Sequence, residues 1–97
     1  MEAVTPSEGW GVLHLFYRID RDRAAADPGG AKRVLDAVEA LEADGHQALV
    51  SCVLGHKADL GVMALGPDLA RLQAFEAELA AAPLSPVWSY LSLTELS

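Results

Sequence analysis

Four short strand-like segments alternate with two amphipathic helical segments along this chain, and this order constrains the fold more than any other feature. The strand-like segments are rich in β-branched, aromatic and aliphatic residues and are too short for typical helices; they are residues 11–20, 47–54, 59–65 and 87–95. The helical segments carry apolar residues at helical spacing; they are residues 31–44 and 68–82. The predicted order is therefore β-α-β-β-α-β.

Turn and capping residues set the predicted boundaries. Residues 21–30 end in Asp27-Pro28-Gly29-Gly30 and read as a loop, with Asp27 as the expected N-cap of the first helix. Gly45 stands where a helix is expected to end. Asp68 is the expected N-cap of the second helix, and Pro83 and Pro86 end it before a last strand from Val87 to about Glu95.

Two right-handed β-α-β crossovers give a four-stranded antiparallel sheet with both helices on one face. This is the ferredoxin-like α+β fold. A chain of 97 residues is enough for one domain, so we expect residues 1–97 to form a single domain.

The other face of this sheet would be uncovered and apolar. In the first strand both alternating sets are largely apolar; they are Leu13, Leu15, Tyr17, Ile19 and Val12, His14, Phe16, Arg18. The last strand exposes either Trp88 and Tyr90 or Val87, Leu91 and Leu93. Each large side chain left in water forgoes about 1.5–3 kcal/mol of burial. We therefore expect a second sheet, from another copy or a different chain, to pack here; the expected interface residues are Val12, Phe16, Trp88 and Tyr90.

Composition argues against several partner classes. The net charge of −7 disfavours nucleic acid and anionic membrane surfaces, since both recruit Lys and Arg. No apolar run approaches the roughly 20 residues that span a bilayer, and the start resembles no secretory signal. The single cysteine, Cys52, excludes an intramolecular disulfide and is expected to be a small buried side chain. These features predict a cytoplasmic location.

Candidate chemical residues are few, and no catalytic residue or metal ligand set is identified. His14 lies mid-strand and is expected to be a core residue, and His46 is expected at a solvated helix end. His56 and Lys57 share a turn with Asp59, a fair place for a binding residue. Metal-ligand spacings, a nucleophile elbow and a phosphate loop are not found.

Three segments resemble the N-terminal half of the chlorite dismutase and coproheme decarboxylase family; they are WGVLHLFYRID (10–20), GHKADLGVM (55–63) and WSYLSLTELS (88–97). The resemblance implies two ferredoxin-like halves with packed sheets, usually in a pentamer. It also implies a haem site mainly in the other half, so no catalytic or haem-ligating residue is carried over. Haem or coproheme would come mainly from a partner domain, which leaves His14, His56 and Lys57 as candidate cofactor contacts.

Three functions follow as alternatives. The first is one half of a haem- or coproheme-handling protein, acting with a C-terminal-type chain in peroxide-dependent coproheme decarboxylation or, less favoured, chlorite decomposition. The second is a non-catalytic homodimeric α+β-barrel module that binds a small ligand or a partner protein. The third is a small metal-free enzyme of the monooxygenase type, which shares this topology. Whether the chain is part of an enzyme is left open.

Overall fold

The computed structural model of the chain describes residues 2–6 and 9–94. The elements follow in the order β1 (Gly11–Ile19), α1 (Arg21–Ala26), α2 (Gly30–Ala43), β2 (Gln47–Cys52), β3 (Leu60–Gly66), α3 (Leu69–Leu79) and β4 (Leu84–Leu93). No helix in these residues is long and apolar enough to cross a membrane.

The four strands form one antiparallel sheet in the order β2-β3-β1-β4. Strands β1 and β3 lie in the middle, and β2 and β4 are the edges. Strand β1 is antiparallel to both of its neighbours. Helix α2 connects β1 to β2, with β3 between them, and helix α3 connects β3 to β4, with β1 between them. The predicted ferredoxin-like α+β fold is confirmed.

The hydrophobic core lies between the sheet and the two longer helices. Leu15, Tyr17 and Val62 are buried on the helix side of β1 and β3, where they meet the buried faces of α2 and α3. The largest fully buried side chains come from the helices; they are Leu41, Leu72, Phe75 and Leu79. The apolar stripe predicted for α3 therefore points into the core.

Helix α1 is a difference from the sequence prediction, which placed a loop over residues 21–30. The Asp20 carboxylate accepts a hydrogen bond from the Arg23 N–H (3.1 Å) and caps this six-residue helix. Asp27 is not the N-cap of α2, which starts at Gly30 after Gly29. The Asp27 carboxylate instead accepts from the Gly29 N–H (3.1 Å) and pairs with Arg33, so it stabilises the preceding turn.

Strand β4 begins three residues earlier than predicted and passes through Pro86. The strand tolerates proline because it is a sheet edge and because its pairing with β1 shifts register there: Phe16 faces Trp88 while Tyr17 faces Pro86. Val87 is the extra residue of this β-bulge. The predicted strand end at Glu95 lies outside the described residues.

Two residues lie in surroundings opposite to those expected. His46 is buried: its Nε2 accepts from the Asp68 N–H (3.2 Å), and its Nδ1 lies 3.0 Å from the Asp44 carbonyl oxygen. Gly66 makes room for the ring, since a Cβ there would stand 1.9 Å from His46 Cδ2. Cys52 is exposed rather than buried, because it is the last residue of an edge strand.

Candidate functional site

The sheet face opposite the helices is uncovered, and we call it the open face. Cross-strand partners in an antiparallel sheet point to the same side. Phe16 pairs with Trp88, His14 with Tyr90 and Val12 with Ser92, on the side away from the buried Leu15. Of the two sets that β4 offered, Trp88 and Tyr90 therefore lie on the open face, where they are 63% and 44% exposed. That they contact a partner stays a prediction.

Four rings on this face form an aromatic ladder, defined as His14, Phe16, Trp88 and Tyr90. The His14 and Tyr90 rings stack with centroids 4.2 Å apart and planes 12° apart. The Phe16 and Trp88 rings stack at 5.6 Å and 20°, and Trp88 tilts against Tyr90 at 5.3 Å. Ring pairs at these centroid distances make favourable aromatic contacts. His14 is thus a half-buried member of a surface ladder rather than a core residue.

The β2–β3 half of the open face carries smaller or aliphatic residues. Gly61 lies opposite Phe16, and a Cβ at Gly61 would stand 3.5 Å from the edge of the Phe16 ring. Met63 lies half-buried on this face beside the exposed Leu49. The open face is therefore aromatic on β1 and β4 and aliphatic on β2 and β3, with a low point at Gly61.

A cavity of about 500 Å³ lies at one end of the open face. Its lining consists of Phe16, Val53, Lys57, Ala58, Val87 and Trp88. The β-bulge turns both Val87 and Trp88 toward this cavity, while the β2–β3 connection supplies Val53, Lys57 and Ala58. Of the three candidate cofactor contacts, only Lys57 lines it.

A second cavity of about 380 Å³ lies on the helix side of the sheet, between helices α1 and α2 and the ends of the strands. It is lined by apolar residues and glycine, including Val34, Leu35, Val50 and Leu84. Neither this cavity nor the one at Lys57 is lined by a histidine.

The other candidate contacts are dispersed. His56 lies exposed in the β2–β3 connection, and its backbone carbonyl accepts a hydrogen bond from the Arg18 guanidinium. His14 lies in the middle of β1. The structure therefore does not bring His14, His56 and Lys57 into one pocket. In the described parts of the chain, no group of three His, Cys, Asp or Glu residues could hold a metal ion.

Asp59, which the sequence placed in the candidate turn, has a structural role. Its carboxylate accepts from the Ile19 N–H (2.9 Å), and its own N–H donates to the Tyr17 carbonyl (2.8 Å). Its carbonyl accepts from the Val53 N–H (3.0 Å). Asp59 thus ties the base of the β2–β3 hairpin to β1. An aspartate directly before an apolar strand was the only signal of this role in the sequence.

Three ionisable groups in the described residues have shifted pKa values, and none of them lines the cavity at Lys57. The hydrogen bond to Asp36 raises the pKa of Lys32 on the exposed surface of α2. Burial on the helix side, with a smaller contribution from Glu76, raises the pKa of Tyr17 to about 12, so its phenol stays neutral. Hydrogen bonds from the Val4 N–H and from backbone groups at the start of α3 lower the pKa of Asp68. Tyr17 is part of the hydrophobic core and Asp68 caps α3, so both groups have structural positions.

No family model matches the chain. A protein of Haloarcula marismortui, named a putative heme-binding protein, is 40% identical over 106 residues, which is 93% of this chain and 15% of that protein. A protein of Natronomonas pharaonis with the same kind of name is 34% identical over 103 residues, which is 93% of this chain and 17% of that protein.

Two solved structures share the fold. A haem-binding protein from Thermus thermophilus superposes with a TM-score of 0.73 at 30% identity, over 98% of this chain and 45% of that one. A mutant chlorite dismutase from Candidatus Nitrospira defluvii, in complex with cyanide, superposes with a TM-score of 0.65 at 16% identity, over 95% and 42%. The chain thus spans less than half of either structure. It has the ferredoxin-like fold of a chlorite dismutase half and is similar in sequence to part of larger proteins named for haem binding.

Proposed function

We propose that this chain is a haem-related domain of the chlorite dismutase-like type, which packs its open face on a second ferredoxin-like sheet. The partner domain would supply most of the haem pocket. One observation carries the proposal: an aromatic ladder stands on an uncovered sheet face, in a chain similar to part of proteins named for haem binding.

The energetics of the open face support a covering sheet. Trp88 and Tyr90 are among the large side chains that remain exposed, and burying their exposed parts gains a share of the roughly 1.5–3 kcal/mol that complete burial of a large side chain is worth. Large exposed apolar patches of this kind mark association surfaces. Two facing sheets pack about 10 Å apart with their side chains interdigitated. The rings of the aromatic ladder project from the open face, and Gly61 leaves a gap beside them. Side chains of a facing sheet can interdigitate with such a surface.

The histidines do not form a haem pocket of their own. Both ring nitrogens of His46 are engaged, at the Asp44 carbonyl and the Asp68 N–H, in a buried position. His56 is on an exposed loop, and His14 stacks on Tyr90 outside both cavities described above. The role proposed for this chain is therefore to close the two-sheet assembly and shape its outer pocket.

Haem or coproheme held by the assembled protein would supply the redox chemistry. The proposed activity of that assembly is peroxide-dependent decarboxylation of coproheme, with chlorite decomposition as the less favoured variant. For the chain alone we expect no turnover.

The test is a titration with haem and with coproheme, followed at the Soret band, for the chain alone and mixed with a C-terminal-type chlorite dismutase-like domain. The proposal expects a saturable shift only in the mixture. A saturable shift with the chain alone would contradict it, above all if His14→Ala abolished the shift. His56→Ala is the matched control, because His56 is exposed and outside both cavities.

A second candidate function is a homodimeric, non-catalytic module. The two unequal halves of the open face favour it, because a two-fold axis parallel to the strands would place the ladder of one copy over the Gly61 side of the other. A stable homodimer without haem affinity, alone or in the mixture, would favour this function over the first.

A further inference from the structure

We propose that the cavity beside Lys57 binds a small planar aromatic carboxylate, with its ring against Trp88 and its carboxylate at the Lys57 ammonium group. All six lining residues belong to this chain, and two of them, Phe16 and Trp88, also lie on the proposed contact surface, so the inference concerns the chain before it associates. It goes beyond the proposed haem-related function.

The cavity has the size and lining of a small-molecule site. Its volume of about 500 Å³ falls within the roughly 300–1,000 Å³ of typical ligand pockets. Five of its six lining residues are apolar or aromatic, and the sixth is Lys57. A β-bulge forms one wall, and bulges are over-represented where a strand re-aims side chains next to functional sites.

The charge at this cavity favours an anion. Lys57 makes no ion pair or side-chain hydrogen bond among residues 2–6 and 9–94, whereas the other lysine, Lys32, pairs with Asp36 at 2.8 Å. The lining contains no carboxylate. Since the chain carries a net charge of −7, an anionic ligand needs such a local cation in order to bind.

The Trp88 ring at the cavity favours a ligand with a planar aromatic ring. Trp88 is 63% exposed, and its ring is held nearly parallel to Phe16 at 5.6 Å. The exposed ring can gain from stacking with a ligand ring in addition to the burial of apolar area. The Trp88 ring and the Lys57 ammonium group line the same cavity, so one ligand that carries an aromatic ring and a carboxylate can contact both.

The experiment compares naphthalene-2-carboxylate with naphthalene-2-carboxamide, which share a ring system and differ in charge. Trp10→Phe is the parent variant, so that Trp88 is the only tryptophan and its fluorescence reports binding. The carboxylate is expected to bind about three- to fivefold more tightly than the amide, the range of an exposed ion pair. Lys57→Met should remove this difference, and Lys32→Met, on the exposed surface of α2, should preserve it.

Isothermal titration calorimetry extends the test to Trp88→Leu, in which the affinity for both probes should fall. Equal affinity of the parent for the two probes, or equal effects of Lys57→Met and Lys32→Met, would overturn the proposal. So would an affinity for the carboxylate that falls as protein concentration rises, because a second copy would then occupy the cavity. Neither probe contains a metal or a tetrapyrrole, so these outcomes are independent of the Soret titration.

Discussion

At the scale of single residues, a small polar cluster joins the N-terminal segment, the end of α2 and the start of α3. The Asp68 carboxylate accepts from the Val4 N–H (2.9 Å) and the Ala70 N–H (3.0 Å), and the Leu69 N–H donates to the Val4 carbonyl (2.7 Å). The Asp68 N–H in turn donates to the buried His46. Asp68 is therefore more than the N-cap that its sequence position predicted.

The lowered pKa of Asp68 makes part of the stability pH-dependent. A carboxyl group with a folded-state pKa below its unfolded value of about 3.9 stabilises the fold above that value. This contribution is lost as the pH falls through the folded-state pKa. Asp68→Asn should lower the free energy of unfolding at pH 7 and flatten its decline below about pH 4, measured by urea unfolding across this range.

Asp36→Asn is the matched control for this prediction, because Asp36 pairs with Lys32 on an exposed helix surface. Its effect on the free energy of unfolding at pH 7 should stay within about 0.5 kcal/mol. An acid-unfolding profile of Asp68→Asn that parallels the wild type would show that Asp68 does not contribute in this way.

The residues that the sequence misplaced share a physical cause. The local sequence pattern identified Asp68 as an N-cap, because a cap contacts only the first turn of the helix that follows it. The burial of His46 depends on Gly66 and Asp68, which are more than 15 positions away, and the exposure of Cys52 depends on which strand becomes the sheet edge. Neither can be read from neighbouring residues. The bulge that shapes the cavity at Lys57 was also invisible, because it is a mismatch between two strands.

At the scale of elements, the long segments were predicted well and the short one was missed. Four strands and two helices occur in the predicted order, since each carries a clear period. Helix α1 has six residues, too few for a periodic pattern, and precedes a Pro-Gly-Gly turn. Its cap at Asp20 was the only local signal.

The hairpin tie at Asp59 gives a prediction at this scale. Asp59→Ala leaves the partly buried Ile19 N–H without its acceptor, which should cost about 1–3 kcal/mol in the free energy of unfolding. Asp36→Ala, which removes an exposed ion pair, should cost no more than about 0.5 kcal/mol. Chemical denaturation of the two variants side by side measures both. Equal losses would mean that the tie does not secure the hairpin to β1.

At the scale of the whole molecule, the chain is a thin slab of 43 × 28 × 16 Å. One layer of sheet and one of helices account for its thinness. An antiparallel sheet can leave one face in water where that face is polar, but here the open face carries large aromatic side chains. The exposed aromatic ladder lies on the side where a further layer is missing. Association through this face would complete the layering and is the basis of the last prediction.

Trp88→Ala should weaken association through the open face much more than it weakens folding, because Trp88 is 63% exposed in the single chain. Leu72→Ala should do the opposite, with a loss of about 2–5 kcal/mol in folding stability, because Leu72 is buried between α3 and the sheet. Sedimentation at micromolar concentrations, with the partner domain or alone, and thermal unfolding separate the two effects. Leu35→Ala controls for the loss of an exposed apolar side chain away from the open face, because Leu35 is 62% exposed on α2. If Trp88→Ala left association unchanged while lowering the melting temperature, the open face would not be the contact surface, and the two-sheet assembly would have to form elsewhere.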